Sequence, residues 1–261
     1  MRASEALTHW YRRDGSPCYT VIGKNGKERD TTLRDARLLG LVPSVTGIIK
    51  QAAAPNLVHY MQEQVLMSAL TLPRNAHENE DAWLRRVWQD SREHARKAAE
   101  KGTAIHAAIE QHYQDTLPAE EYWPHVKGVA DLLADRFPGA SFITEESFCN
   151  PLGYGGKTDL HSRAGQGLVL DIKSKELSHE KAARAETYDE QHMQLASYRE
   201  GLGLPNALCG IVYVSTSVPG LAVLVMVDED KLQRAWMMFK SLLNYWVVKN
   251  KFVWYPTQEE G

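Results

Sequence analysis

Two aspartates and a lysine near the middle of the chain are the residues whose types and spacing best suit chemistry. Residues 153–175 read GYGGKTDLHSRAGQGLVLDIKSK, where Asp171 follows Asp159 by twelve positions and Lys173 comes two positions later. Side chains alternate between the faces of a strand, so Asp171 and Lys173 point the same way while Ile172 points into packing. A charge inside an apolar strand is costly unless it is paired, solvated or bound to a metal.

A hairpin would bring the two aspartates together. The turn residues SRAGQG, at 162–167, separate the two strands, so Asp159 is expected beside Asp171 across the ladder. Two converging carboxylates repel each other unless a proton or a cation lies between them. Mg²⁺ or Mn²⁺ suits such a site, because both cations are bound by one or two carboxylates together with water and substrate phosphate. Lys173 would then neutralise phosphate charge, or hold and deprotonate an attacking water. Taken alone, Asp-x-Lys is a very weak signal and is more typical of a surface ion pair on an edge strand.

Two predicted helices offer further polar side chains. In KGTAIHAAIEQHY, Gly102, His106 and Glu110 are spaced four apart and share one helix face. An imidazole ligand from His106 would suit Mn²⁺ better than Mg²⁺, and Glu110 would be a ligand or would orient a neighbour. In HMQLASYREGLGL, Gln194 and Tyr198 share a face and could contact a sugar-phosphate backbone. Each of these residues, taken alone, is also an ordinary helix residue.

The surrounding pattern predicts the elements that must position these residues. Asn25-Gly26 indicates a hairpin, and Ser44 or Thr46 could cap a helix that begins near Gly47. Helical spacing predicts helices over 80–114, 126–137, 188–201 and 230–250. Five β-branched segments predict strands: SFITEESFC, YGGKTDLHS, GLVLDIKSK, CGIVYVSTSV and LAVLVMVD. The order indicates an α/β fold with a mixed central sheet flanked by helices.

Composition excludes some classes of protein but does not identify the function. The chain has 261 residues, 43% of them hydrophobic, and a net charge of −3, so it is not a basic nucleic-acid coat. The three cysteines are widely spaced, which favours reduced thiols in a cytoplasmic protein and excludes a four-cysteine iron–sulfur cluster. The first 15 residues lack the apolar core of a signal peptide, and no run approaches a membrane span.

Taken in order, four motifs resemble the PD-(D/E)XK nuclease superfamily, and more closely its RecB-like exonuclease branch. They are G-x-x-x-H-x-x-x-E at 102–110, G-G-x-x-D-L at 155–160, D-I-K-S at 171–174 and Q-L-x-x-Y at 194–198. PSVTGII at 43–49 is similar to a motif of mitochondrial genome maintenance exonucleases and their phage and bacterial relatives. Asp171 stands where Glu is commoner in the superfamily. The four cysteines of the iron–sulfur members are missing.

The resemblance implies roles for these residues. It implies a restriction-endonuclease-like core at 101–261 and an N-terminal hairpin and helical extension or arch at 1–100, within one nuclease domain. His106, Asp159, Asp171 and the Ile172 carbonyl would bind one or two Mg²⁺ or Mn²⁺ ions, and Lys173 would position or activate the water. The remaining implied site residues brace the site, act in catalysis or contact DNA: Glu110, Lys157, Ser174, Gln194 and Tyr198.

The implied activity is metal-dependent exonuclease hydrolysis of single-stranded DNA or DNA ends in recombination, repair or phage replication. Single-strand-binding or recombination proteins would be its partners, and a homo-oligomer is compatible with the resemblance. An endonuclease of the same superfamily, a non-catalytic DNA-binding protein and an unrelated α/β enzyme remain alternatives. Basic residues near the motifs could form a strand-binding groove; they are Lys50, Arg85, Arg86, Arg92, Arg96, Lys97, Lys101, Lys157 and Lys175.

Overall fold

The computed structural model describes residues 9–53 and 55–254. Helices and strands are numbered in chain order. The helices are α1 Leu33–Leu39, α2 Val45–Ile49, α3 Pro55–Thr71, α4 Glu80–Tyr113, α5 Trp123–Arg136, α6 His179–Ala183, α7 Asp189–Gly201 and α8 Glu229–Lys249. The strands are β1 Trp10–Tyr11, β2 Thr20–Ile22, β3 Glu28–Asp30, β4 Val42–Pro43, β5 Ile143–Thr144, β6 Ser147–Asn150, β7 Tyr154–Lys157, β8 Leu160–Ser162, β9 Leu168–Lys175, β10 Leu208–Ser215 and β11 Ala222–Val227.

A five-stranded mixed sheet forms the centre of the fold. Its order is β11-β10-β9-β8-β5, in which β9 and β10 are parallel and the other neighbours are antiparallel. The parallel pair needs a crossover connection, which α6 and α7 supply between β9 and β10. The predicted α/β fold with a mixed sheet, flanking helices and an N-terminal helical extension is confirmed.

The two faces of the sheet pack into two separate hydrophobic cores. Val169 on β9 packs with residues of α7 and α8 on one face, among them Leu195 and Phe239. Leu170 and Ile172 pack on the other face with residues of α4 and α5. The alternation of strand side chains therefore decides which helices each residue of β9 meets.

The N-terminal predictions agree with the structure. Asn25-Gly26 lies in the turn between β2 and β3, where Gly26 has a φ of 73°. Ser44 caps α2 by accepting a hydrogen bond from the Gly47 N–H at 3.0 Å, and the helix begins at Val45. The capping prediction is confirmed, with the helix starting two residues before Gly47.

Helix α4 carries one of the predicted motifs on a long rigid element. Asn79 caps it by accepting from the Ala82 N–H at 2.8 Å, and Glu80 and Asp81 fill its acidic first turn. The helix then runs unbroken for 34 residues, in agreement with the predicted helix over 80–114. The helix passes through position 100, so no helix end marks the predicted boundary between the N-terminal extension at 1–100 and the core at 101–261. That boundary stays a prediction.

Two of the predicted strands are wrong in extent, because each is split between two sheets. SFITEESFC divides into β5 and β6, and YGGKTDLHS divides into β7 and β8. Strands β6 and β7 form a separate two-stranded sheet, with one further bridge from Gly155 to Ser44, whereas β5 and β8 join the central sheet. At the break between β7 and β8, the Thr158 N–H and hydroxyl both donate hydrogen bonds to the Glu146 carbonyl, at 3.0 and 3.1 Å. These bonds stabilise the point where the chain leaves one sheet for the other.

No helix among residues 9–53 and 55–254 combines the length and the apolar character needed to cross a membrane. The three cysteines are free: Cys18 and Cys209 are buried and Cys149 is half-buried.

Candidate active site

The β8–β9 hairpin brings the two aspartates side by side. Leu160 pairs with Leu170 in the antiparallel register, and one further step places Asp159 opposite Asp171. Asp159 comes just before β8, at the break in the predicted strand, and its Oδ2 accepts a hydrogen bond from the Ile172 N–H at 2.7 Å. The predicted hairpin is confirmed.

Asp171 is buried, with 1% of its surface exposed. Its Oδ1 accepts from Gln194 Nε2 at 2.8 Å, and its Oδ2 lies 2.7 Å from Lys173 Nζ. That contact is a short ion pair, and Lys173 is the one charged partner within ion-pair distance of Oδ2 among the described residues. A buried carboxylate oxygen with unused acceptor capacity is the kind of atom that a cation or water satisfies.

Gln194 connects the charged pair to the next helix. It accepts from Lys173 Nζ at 3.2 Å through Oε1, and its Nε2 donates both to Asp171 and to the Tyr198 hydroxyl at 2.9 Å. The bracing role implied for Gln194 and Tyr198 is thus compatible with these contacts. The i,i+4 spacing on α7 is what lets the two side chains meet.

Helix α4 approaches the hairpin from the other side. His106 Nδ1 lies 3.9 Å from Asp159 Oδ2, and Glu110 lines the same narrow cleft as Asp159 and Ile172. Gly102 permits the approach, because a Cβ there would overlap Ser174 Oγ. An open cleft of about 430 Å³ lies between this helix face and the end of β9, and it leads to His106.

Burial sets the electrostatics of the site. Desolvation raises the pKa of Asp171 to about 6, with the nearby charge of Asp159 adding to the rise and Lys173 opposing it. Desolvation likewise raises the pKa of Asp159. Burial alone would lower the pKa of Lys173, but its contacts with the aspartates outweigh burial and raise it. Desolvation lowers the pKa of His106, so its imidazole is neutral, which is the form that binds metals.

These residues suit a divalent cation. Within residues 9–53 and 55–254, no three His, Cys, Asp or Glu side chains form a ready-made metal cluster. The chemistry of the group nevertheless fits, because the half-buried Asp159 carboxylate lies beside the buried Asp171 carboxylate, and the one ammonium of Lys173 offsets only one of the two negative charges. A hard cation bound by carboxylate oxygens would remove that charge. The contribution of the Ile172 carbonyl stays a prediction.

Sequence reasoning missed Glu145, which lies beside the site. Its backbone has a φ of 57°, a left-handed conformation that is uncommon outside glycine. Its N–H donates to the Asp159 carbonyl at 3.4 Å, and its carboxylate contacts the amine of Lys157. The only sequence signal was an acidic residue inside a segment that otherwise reads as a strand. Lys157, predicted to contact DNA, therefore has an intramolecular partner.

Several of the predicted groove residues also have partners within the chain. Arg86 pairs with Glu78 at 2.8 Å and Arg96 with Glu93 at 2.7 Å. The amine of Lys175 lies 3.5 Å from the centre of the Tyr213 ring. Their role in strand binding stays a prediction.

No family model matches the sequence, and no curated protein matches it. Solved structures do match. A candidate exonuclease from Eubacterium rectale is 14% identical with a TM-score of 0.39, over 59% of this chain and 69% of that one. An alkaline exonuclease from Laribacter hongkongensis is 14% identical with a TM-score of 0.37, over 57% and 81%. Its complex with dAMP is 16% identical with a TM-score of 0.39, over 80% and 88%. Since these TM-scores are below 0.5, we infer the function from the geometry of the site.

Proposed function

We propose that the protein is a divalent-metal-dependent deoxyribonuclease that degrades single-stranded DNA or DNA from its ends. The observation that carries the proposal is the convergence of Asp159, Asp171 and Lys173 at the β8–β9 hairpin, where Asp159 lies opposite Asp171 and a single ammonium pairs with Asp171. A structural ion pair needs one carboxylate and one ammonium, and it gives no reason for a second carboxylate directly beside the first.

Different residues of the chain would bind the cation and position the reacting groups. Asp159, Asp171 and His106 would hold the cation, which when bound would polarise the scissile phosphate and offset its charge. Gln194 fixes the direction of the Asp171 carboxylate and the Lys173 amine through its three hydrogen bonds. Preorganised groups of this kind are usually the largest contribution to such catalysis.

Lys173 would act as a charged donor. Because its pKa is raised, it carries its proton at neutral pH, so it can hold an attacking water and stabilise charge on the phosphate. A positioning role for Lys173 is therefore favoured over the general-base role that the sequence left open.

The test compares end-labelled linear and circular single strands incubated with Mg²⁺ or Mn²⁺. Cleavage of the linear strand alone supports an exonuclease, and equal cleavage of circles indicates the endonuclease alternative. Asp171→Asn and Lys173→Met should each lower the rate by about a hundredfold or more. Lys127→Met is the matched control, because Lys127 is exposed on α5 and pairs with Asp131 away from the site.

A binding measurement separates the cation from the chemistry. Mn²⁺ should raise the melting temperature of the wild-type protein and of Lys127→Met, because a ligand that binds only the folded state stabilises it. Asp171→Asn should lose most of that rise. No metal-dependent shift, together with no turnover in any divalent metal, would leave a non-catalytic strand-binding protein as the better explanation.

A further inference from the structure

A stack of aromatic rings lies on the N-terminal segment, outside the residues used so far. The His9 and Tyr19 rings are stacked with centroids 4.4 Å apart and planes 27° apart. The Tyr11 ring meets Tyr19 edge-on, and the two hydroxyls are hydrogen-bonded at 2.9 Å. His9 is exposed, Tyr19 is half-buried and Tyr11 is buried. The stack therefore has a fixed base and an outer ring that faces solvent.

This stack is anchored to the strand that leads into the candidate site. Tyr11 packs so closely on Gly155 that a Cβ there would lie 2.6 Å from the Tyr11 Cβ. The next residue, Gly156, packs in the same way against Tyr198, the hydroxyl partner of Gln194. Adjacent glycines of β7 thus contact the base of the stack and one of the residues that brace Asp171.

The short helix α2 brings a lysine to the His9 segment: the Ser44 N–H at its start donates to the His9 carbonyl at 2.9 Å, and Lys50 follows its last residue. Partial burial of the ring is the largest cause that lowers the pKa of His9, and the positive charges of Lys50 and Lys157 lower it further. Its imidazole is therefore neutral near pH 7, which suits stacking. Lys157 contacts Glu145, whereas among the described residues no carboxylate lies within ion-pair distance of Lys50. An exposed neutral ring beside an uncommitted ammonium offers both a face for a base and a charge for a phosphate.

We propose that His9 and Tyr19 form a nucleotide subsite, in which a base of a single strand stacks on His9 and its phosphate pairs with Lys50. Stacking on an aromatic ring is tolerant of base identity, because every base has a π-face. The subsite would hold the strand beside the carboxylates while leaving its sequence unread. This inference rests on the proposed function, since it places the subsite on the same strand path.

The test measures binding of a fluorescent oligothymidylate in EDTA, so that no hydrolysis can occur, and of the same strand built with abasic sites. His9→Ala should weaken binding of the base-bearing strand by about tenfold and of the abasic strand by less than about twofold. Lys50→Ala should weaken both strands alike and reduce the salt dependence of binding. Tyr19→Phe keeps the ring and should bind like the wild type. His179→Ala, an exposed histidine on α6, is the matched control.

The outcomes separate the two proposals. If His9→Ala binds both strands as tightly as the wild type while the wild type digests DNA with Mn²⁺, the subsite is wrong and the proposed function stands. If the wild type neither binds a strand nor hydrolyses one, the proposed function fails and the subsite fails with it. Equal weakening of base-bearing and abasic strands by His9→Ala would also refute stacking.

Discussion

Replacing Gly156 with alanine should disturb the site by displacing the aromatic rings that pack behind it, without a direct contact to any charged residue. A Cβ at Gly156 would lie 2.7 Å from Cζ of Phe148 and 2.9 Å from Cε1 of Tyr198, and both rings are buried. Carbon atoms prefer separations of about 3.5 Å or more. The added methyl group must therefore push at least one of the two rings away.

The size of the effect follows from these distances. Reaching about 3.5 Å requires a shift of roughly 0.6 Å for Tyr198 and 0.8 Å for Phe148. The hydrogen bond from Gln194 to Tyr198 is 2.9 Å long, so a shift of that size along the bond would take it to about 3.5 Å, beyond useful length. Overpacking of this kind costs about 1–3 kcal/mol of stability. Misplacement near 1 Å can cost up to about a hundredfold in rate.

Urea denaturation and the nuclease assay measure the two effects separately. The matched control is Gly210→Ala on β10. There the new methyl group would lie 3.0 Å from the flexible ends of Leu224 and Met226 and 3.2 Å from the Val225 carbonyl oxygen, so we expect a smaller loss. Phe148→Leu should relieve part of the strain, so the double variant should be more stable than the sum of the single changes predicts. If Gly156→Ala unfolds at the same urea concentration as the wild type and keeps its rate, the packing argument is wrong.

Three further predictions concern stability and reactivity. Burial lowers the pKa of His161, so the neutral imidazole contributes stability above pH 6.5, and that contribution is lost as the pH falls through the lowered pKa. His161→Gln should therefore flatten the pH dependence of urea unfolding between pH 7 and 5. An unchanged pH dependence would contradict this. Asn79→Ala removes the cap of α4 and should cost about 1 kcal/mol, measured by the same unfolding. Burial raises the pKa of Cys149 to about 11 and that of Cys209 to about 12; a thiol reagent at pH 7.5 should therefore modify them far faster after unfolding than before it.

The parts of the site that could be predicted are those set by local spacing. Alternation along β9 placed Asp171 and Lys173 on one face, and the turn residues at 162–167 set the hairpin that pairs Asp159 with Asp171. The i,i+4 spacing likewise placed Gln194 and Tyr198 together on α7. These relations depend on residues close in sequence, where backbone geometry leaves few alternatives.

The parts that could not be predicted depend on contacts between distant segments. The split of YGGKTDLHS into two strands is held by bonds from Thr158 to the Glu146 carbonyl, which no local pattern indicates. The left-handed backbone of Glu145 and the stack of His9 on Tyr19 are similarly set by tertiary packing. Helix α3, which also went unpredicted, has large exposed side chains such as Leu66 and Leu70 that blur its helical pattern.

The apolar residues of β9 determine where the charged residues lie. Leu170 and Ile172 are buried in the core with α4 and α5, and a slip of one residue would turn them out and bring Asp171 into that core. The large cost of burying an unpaired carboxylate among aliphatic side chains excludes that register. The same alternation then sends Asp171 and Lys173 toward Gln194 on the opposite side, so packing on one face of the strand fixes the chemistry on the other. A candidate catalytic pair on a central strand is thereby held in place by aliphatic side chains that pack on the other face of the same strand.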